Sequence, residues 1–172
     1  MSTDTYLTDS ARTASGEFLA DHRGQHTLAE LLKELHYTGE ALNEVKRAMF
    51  YGRGYDNVVD MFSVPLIPVG QQNLPSDFVH SIMGMATEVS EISEQLLAAL
   101  EGKPVNRNNL AEEAGDILWY MAMLLRYLGT DFPTVMAMNI EKLKARYPDK
   151  FDADLAINRN LVKEEETFRL ET

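Results

Sequence analysis

The apolar residues of this chain recur at helical spacing, and this periodicity is the feature that most constrains its fold. Side chains three, four or seven positions apart share one face of an α-helix. The first periodic segment repeats in this way at Leu28, Leu31, Leu35, Leu42 and Met49. Glycine and proline bound the periodic segments, and no segment with strand periodicity competes with them. We therefore expect an all-α protein whose protomer is a four-helix bundle with short connections. The predicted helices cover about 27–51, 76–101, 109–128 and 131–146.

Local signals place the ends of these helices and divide the chain. Thr27 and Glu30 have the spacing of a capping box, and Asn109 with Glu112 offers a cap for the third helix. Gly129 is expected to end that helix. The polar residues 1–26 are expected to form a flexible arm, residues 27–150 the helical domain, and residues 151–172 a charged tail. Residues 52–75 contain three prolines and are predicted to be a loop.

Composition excludes several classes of function. The net charge of −11 argues against binding nucleic acid or an anionic membrane, since both require a cationic surface. The chain has no cysteine, which excludes disulfides, zinc–thiolate sites and cysteine nucleophiles. The N-terminal sequence lacks the apolar run of a secretory signal, and no stretch reaches the roughly 18 apolar residues of a membrane span. We therefore expect a cytoplasmic protein.

Two pairs of acids have a spacing that suits a metal site. Glu88 with Glu91, and Glu113 with Asp116, lie three residues apart on predicted helices, although the 27 acids give about four such pairs by chance. The position of Glu113 and Asp116 in a mostly apolar arc of their helix is more informative. A buried carboxylate is costly unless a cation compensates it. Oxygen ligands select Mg²⁺ or Mn²⁺. Pairing of these acids with lysines and arginines between helices is an equally good interpretation.

Three further features have a functional and a structural interpretation. Glu94 and Glu112 point toward polar faces and are expected to be surface acids, with contact to the site through water as the alternative. Asn139, Lys142 and Arg146 share a stripe on the fourth helix, with donors suited to phosphate oxygens. A solvated helix face explains the same stripe. Two aromatic side chains on the third helix either stack on a base or pack in the core, namely Trp119 and Tyr120.

Three blocks of sequence together resemble a known family. They are "GMATEVSEISEQL", "NLAEEAGDILWYMAMLLRYLG" and "VMAMNIEKLKARYP". In this order they resemble the MazG-like nucleotide pyrophosphohydrolases of the all-α NTP pyrophosphatase superfamily. The resemblance covers roughly residues 78–160, about half of the chain.

The resemblance implies hydrolysis of a nucleoside triphosphate between the α and β phosphates, giving a monophosphate and pyrophosphate. It implies that Mg²⁺, with Mn²⁺ as an alternative, is bound by Glu88, Glu91, Glu113 and Asp116. One of these acids, or a neighbour through water, would activate the attacking water. The polyphosphate would be held by Asn139, Lys142 and Arg146. The resemblance also implies a homo-oligomer, either a dimer or a tetramer.

Other functions remain open from the sequence. A related enzyme of the same superfamily would act on dUTP or phosphoribosyl-ATP. A non-catalytic helical interaction protein would use the acids only as surface charge. Metal storage in a carboxylate bundle is disfavoured, because Glu-x-x-His pairs are typical of such bundles and this chain has none.

Overall fold

The computed structural model describes residues 1–15, 22–52 and 74–169. These residues form helices and connecting segments without a β-strand, which confirms the all-α class. Where four helices were predicted, the described residues contain seven. They are α1 Thr3–Ala11, α2 His22–Tyr51, α3 Ser76–Leu100, α4 Arg107–Leu128, α5 Phe132–Arg146, α6 Ala153–Ile157 and α7 Leu161–Thr167. None of these helices is long and apolar enough to cross a membrane.

Helices α2 to α5 correspond to the four predicted helices, but two of them begin earlier than their predicted caps. The hydroxyl of Thr27 donates to the carbonyl of Arg23 at 3.0 Å, so Thr27 lies inside α2. At the start of α4, Oδ1 of Asn106 accepts from the backbone N–H groups of Asn108 and Asn109 at 3.1 and 3.2 Å. Asn106 therefore has the capping role that the sequence suggested for Asn109, which frees the Asn109 side chain for other contacts.

Three short helices lie in segments where the sequence predicted an arm and a tail. Ser2 caps α1 by accepting from the N–H of Thr5 at 3.2 Å. Asp152 caps α6 and Asn160 caps α7 in the same manner. The expected arm and tail therefore each contain capped helical turns.

Glycines follow three of the long helices, as the sequence predicted. Gly52, Gly102 and Gly129 have φ angles of 69°, 74° and 68°. This left-handed conformation is easy for glycine and strained for other residues, so glycine here ends each helix. Residues 53–73, which form most of the predicted loop 52–75, lie outside the described residues.

The chain divides into two compact units. The first, called here the bundle unit, is Ala20–Tyr127 and contains α2, α3 and nearly all of α4. The second, called here the terminal unit, consists of Met1–Leu19 with Leu128–Thr172 and contains α1, α5, α6 and α7.

Within the bundle unit, the buried residues of α3 other than Glu88 have small side chains. They are Ser81, Gly84, Thr87, Ser90 and Ser93. A Cβ atom on Gly39 of α2 would lie 2.0 Å from Oγ of Ser90, and one on Gly84 would lie 2.2 Å from the ring of Tyr120 on α4. Both distances are far below van der Waals contact. Glycine therefore allows α2 to approach α3 closely at Gly39 and allows the Tyr120 ring to lie on α3 at Gly84.

Some of the large apolar side chains of α3 and α4 lie partly at the surface of the chain. Ile82, Val89 and Leu96, seven residues apart on α3, are each 46% exposed, and Leu118 on α4 is 58% exposed. These residues recur at helical spacing in the sequence, but the packing of the single chain does not bury them.

Candidate metal centre

Three carboxylates converge between α3 and α4 of the bundle unit. One carboxylate oxygen each from Glu88, Glu91 and Glu113 lies within 4.8 Å of the other two. Glu88 and Glu113 are buried at 7% and 6% exposure, and Glu91 is partly buried. Glu88 and Glu91 are one helical turn apart on α3, and Glu113 reaches them from α4. Such a cluster of oxygen ligands fits a hard divalent cation.

Burial and mutual repulsion change the acidity of this cluster. Burial, followed by the charge of Glu91 and the contact with Glu88, raises the pKa of Glu113 from 4.5 to about 7. The pKa of Glu91 is also raised, mainly by burial and then by the charge of Glu88. A cation bound among the three oxygens would offset this repulsion.

Lys46 supplies a positive charge that the sequence interpretation missed. Its Nζ donates to Oγ1 of Thr87 at 2.8 Å, to Oε1 of Glu88 at 3.3 Å and to the Tyr120 hydroxyl at 3.3 Å. Lys46 is only 5% exposed. The available signal was a lysine within an apolar stripe of α2, four residues after Leu42 and three before Met49. The ammonium group orients Glu88 and partly compensates its charge.

Asn109 supports Glu113 from one helical turn away. Its Nδ2 donates to Oε1 of Glu113 at 2.6 Å, and its own Oδ1 accepts from Nε2 of Gln95 at 2.8 Å. Oε1 of Gln95 accepts in turn from the backbone N–H of Asn106 at 3.0 Å. This chain of hydrogen bonds fixes the Glu113 carboxylate. The spacing of four residues between Asn109 and Glu113 was a signal for this contact.

Asp116 differs from the other predicted ligands. It is exposed, and it is not one of the three carboxylates that converge. The sequence placed it with Glu113 in one apolar arc, but the structure buries Glu113 and leaves Asp116 exposed on α4. The pKa of Tyr120 is raised, chiefly by burial and in smaller part by the charge of Asp116. Asp116 is therefore close enough to the cluster to act on Tyr120 electrostatically.

Glu94 and Glu112 are exposed, as the sequence predicted for surface acids. Glu94 has a carboxylate oxygen 2.8 Å from Nδ1 of His36.

The two aromatic residues proposed to contact a base have different environments. Tyr120 is buried at 6% exposure, against Gly84 and Lys46, so it has the core position that was the alternative interpretation. Trp119 is 57% exposed and contacts the Tyr120 ring edge to face, with centroids 4.9 Å apart. Of the two rings, Trp119 is therefore the accessible one.

The stripe of α5 makes contacts inside the terminal unit. Oδ1 of Asn139 accepts from the hydroxyl of Tyr6 at 3.1 Å. Nζ of Lys142 lies 5.4 Å from the centroid of the Phe168 ring. Arg146 donates through Nε to Oε1 of Glu164 at 2.7 Å. All three residues of the stripe are thus partly buried and engaged by side chains from the ends of the chain, which differs from a freely solvated helix face.

The described residues thus define an all-helical protein with a buried carboxylate cluster suited to a divalent cation. Residues 80–151 match the family model of the MazG nucleotide pyrophosphohydrolase domain. This segment therefore matches the family that the resemblance predicted, which is a family of nucleotide pyrophosphohydrolases. It includes the predicted ligands and the stripe of α5.

One curated relative is the Gene 37 protein of Mycobacterium phage L5. It is 35% identical over 69 residues, which cover 37% of this chain and 60% of the relative. The chain thus spans less than two thirds of that relative's length. No solved structure matches the chain.

Proposed function

We propose that this chain is a cytoplasmic, homo-oligomeric nucleoside triphosphate pyrophosphohydrolase. It cleaves a (deoxy)nucleoside triphosphate between the α and β phosphates and releases the monophosphate and pyrophosphate. The observation that carries the proposal is the convergence of Glu88, Glu91 and Glu113 inside the segment that matches the MazG domain. Mg²⁺ is the proposed cofactor, with Mn²⁺ as a substitute.

The carboxylates hold the cation and handle the proton. Glu88, Glu91 and Glu113 are the proposed ligands, and the exposed Asp116 completes the set from the solvent side. When bound, a divalent cation neutralises phosphate charge and lowers the pKa of the attacking water. One of the carboxylates accepts the proton that this water loses.

Two residues keep this arrangement in place. Lys46 holds Glu88 through a direct hydrogen bond, and Asn109 holds Glu113. Support of this kind fixes the direction of a metal ligand and adjusts its basicity.

The substrate contacts follow the family resemblance. Asn139, Lys142 and Arg146 bind the polyphosphate through one amide and two cationic groups. Trp119 stacks on the base through its exposed ring. Tyr120, the second predicted base contact, supports Trp119 from the core and does not itself stack on the base.

Product analysis tests the reaction. The chain is incubated with a panel of canonical and modified (deoxy)nucleoside triphosphates, including dUTP, and with phosphoribosyl-ATP, in Mg²⁺ or Mn²⁺. We expect a monophosphate and pyrophosphate from at least one substrate, and no turnover in EDTA. Preference for dUTP or phosphoribosyl-ATP would identify the related superfamily enzymes. Absence of hydrolysis across the panel would favour the non-catalytic interaction protein and refute the proposal.

A matched pair of variants tests the site. Glu113→Gln removes a buried ligand charge, whereas Glu112→Gln makes the same change on the exposed neighbour. Loss of general acid–base or ligand function typically lowers kcat by about 10²-fold or more. We expect that loss, together with weaker metal binding, for Glu113→Gln and near-normal turnover for Glu112→Gln. Near-normal turnover by Glu113→Gln on every substrate would show that the assignment of the site is wrong.

A further inference from the structure

Two arginines of the terminal unit converge on one buried carboxylate. Arg146 on α5 donates through Nε to Oε1 of Glu164 at 2.7 Å and through Nη2 to Oε2. Arg159, just before α7, donates to the same two oxygens through Nε at 3.3 Å and Nη2 at 2.6 Å. The Glu164 side chain is only 6% exposed. These two arginines are called here the arginine clamp.

The arginine clamp has the donors that recognise a phosphate group. A guanidinium fork pairs two parallel N–H groups with two oxygens of a carboxylate or a phosphate. The pKa of Glu164 is lowered from 4.5 to about 2, first by the hydrogen bond from Arg146 and then by that from Arg159. The clamp therefore holds an anion at every physiological pH.

The surroundings of the clamp also suit an anion. A cavity of about 210 Å³ lies beside it, and its lining includes Arg146, Lys163, Asn158 and Asn160. A lysine and two amides next to the guanidinium groups provide further donors for phosphate oxygens.

The carboxylate comes from outside the MazG match. Arg146 lies within residues 80–151, whereas Arg159 and Glu164 follow that segment. Phe168, which covers Lys142, belongs to the same C-terminal segment. Two of the three stripe residues on α5 are thus covered by one short stretch at the end of the described chain.

We propose that the arginine clamp is a phosphate-binding site that Glu164 closes, and that α7 is an internal competitor displaced by polyphosphate. The ligand class is a phosphate chain, either the triphosphate of the substrate or the pyrophosphate product. The role of the clamp in catalysis rests on the proposed function, but binding of a phosphate chain to the clamp can be measured without hydrolysis.

The competition follows from charge and tethering. Glu164 presents a single negative charge at the high effective concentration of a tethered group. A polyphosphate carries several charges and more acceptor oxygens, so it can replace the carboxylate and also contact the donors of the adjacent cavity. The apparent affinity for polyphosphate is reduced by the fraction of molecules in which α7 is docked.

Calorimetric binding in EDTA tests the clamp without metal or hydrolysis. Tripolyphosphate, pyrophosphate and inorganic phosphate are titrated into the full chain, into Glu164→Gln and into Glu165→Gln. Glu165 is exposed on the same helix, so its variant matches the change in net charge. We expect Glu164→Gln to bind tripolyphosphate on the order of tenfold more tightly than the natural chain. Glu165→Gln should bind within about twofold of the natural chain, since an exposed charge is screened. Equal affinity of the two variants would overturn the proposal.

Hydrogen exchange on the unmodified chain provides a second test that does not depend on a variant. Saturating tripolyphosphate is expected to increase exchange at the amides of α7 and to leave those of α3 unchanged. Unchanged or slower exchange in α7 would overturn displacement. The titrant that binds more tightly shows which ligand the clamp takes. Tripolyphosphate mimics the triphosphate of the substrate, and pyrophosphate is the product. If the chain hydrolyses triphosphates but fails both binding tests, only the proposal of the clamp is refuted. If it binds polyphosphate but hydrolyses no nucleotide, only the proposed function is refuted.

Discussion

Lys46 is the residue that most directly balances the charge of the carboxylate cluster. It is buried, and its ammonium contacts Glu88 and two hydroxyl groups. A buried carboxylate that loses its cation retains the full penalty of desolvation. The lysine therefore permits the cluster to fold before any metal arrives.

Replacement of Lys46 by methionine tests this role. We expect Lys46→Met to lower the free energy of unfolding by about 3 kcal/mol in EDTA, since removal of one partner strands a buried charge. Added Mg²⁺ should restore part of the loss, because a bound cation compensates the same carboxylates. Urea unfolding with and without Mg²⁺ measures both effects. Lys33→Met on the same helix is the control, because Lys33 is half exposed in its pair with Glu30. Equal losses for the two variants would contradict the role of Lys46.

The site was partly predictable at the scale of single residues. Spacing singled out Glu88, Glu91 and Glu113, whose carboxylates lie within 4.8 Å of one another in the structure, because acids one turn apart on a helix are a local pattern. Lys46 was missed because its contacts come from two other helices. Its position in the apolar stripe of α2 could indicate burial, but not which acid it would meet. The exposure of Asp116 was also missed, since a helical wheel gives relative angles and not the direction of the neighbouring helix.

At the scale of helices, residue periodicity predicted long elements and missed short ones. Helices α2 to α5 contain 15 to 30 residues, so their apolar repeats extend over several turns. Helices α1, α6 and α7 contain 9, 5 and 7 residues. One or two turns hold too few residues to show a period. Capping residues such as Ser2 and Asp152 were the available signal for these helices.

The packing of the Tyr120 ring of α4 against α3 depends on Gly84. A Cβ there would lie 2.2 Å from this buried ring, so Gly84→Ala must displace the ring from its place on α3. Overpacking of this kind typically costs about 1–3 kcal/mol. Gly115 on α4 has open space around it, and Gly115→Ala should stabilise the helix by up to about 1 kcal/mol. The free energy of unfolding in urea should therefore fall for Gly84→Ala and rise for Gly115→Ala. Stabilisation by Gly84→Ala would show that the contact with Tyr120 is not tight.

The attachment of α7 to α5 should depend on pH through Glu164. Its pKa is about 2 in the folded chain and 4.5 ordinarily, so the ionised form is favoured by folding. The resulting stability is present above pH 4.5 and is lost as the pH falls from 4.5 through 2. Exchange of the α7 amides, measured between about pH 5 and 2.5 after correction for the intrinsic rate, should rise toward low pH. Glu164→Gln should remove most of this dependence, and an unchanged profile in that variant would assign the effect to another group.

At the scale of the whole molecule, the proposed oligomer gives a reason for the exposed apolar side chains. Ile82, Val89 and Leu96 repeat every seven residues along α3, which is the spacing at which one helix packs along another. The sequence correctly identified this stripe as apolar. It could not distinguish burial within one chain from burial between two chains, because both require the same periodicity.

Substitution of Leu96 tests whether this stripe is an interface between copies of the chain. In a single chain, Leu96→Arg places a cation at a position that is already 46% exposed, so folding should change little. In an oligomer, the same cation would be buried without a partner, which strongly disfavours association. We expect light scattering to give the mass of a dimer or larger assembly for the natural chain and a smaller assembly for Leu96→Arg. Ile157→Arg, at a position 79% exposed in the terminal unit, is the matched control and should keep the natural mass. A natural chain that remains a monomer at micromolar concentration, or a Leu96→Arg variant that assembles normally, would exclude this stripe as the interface.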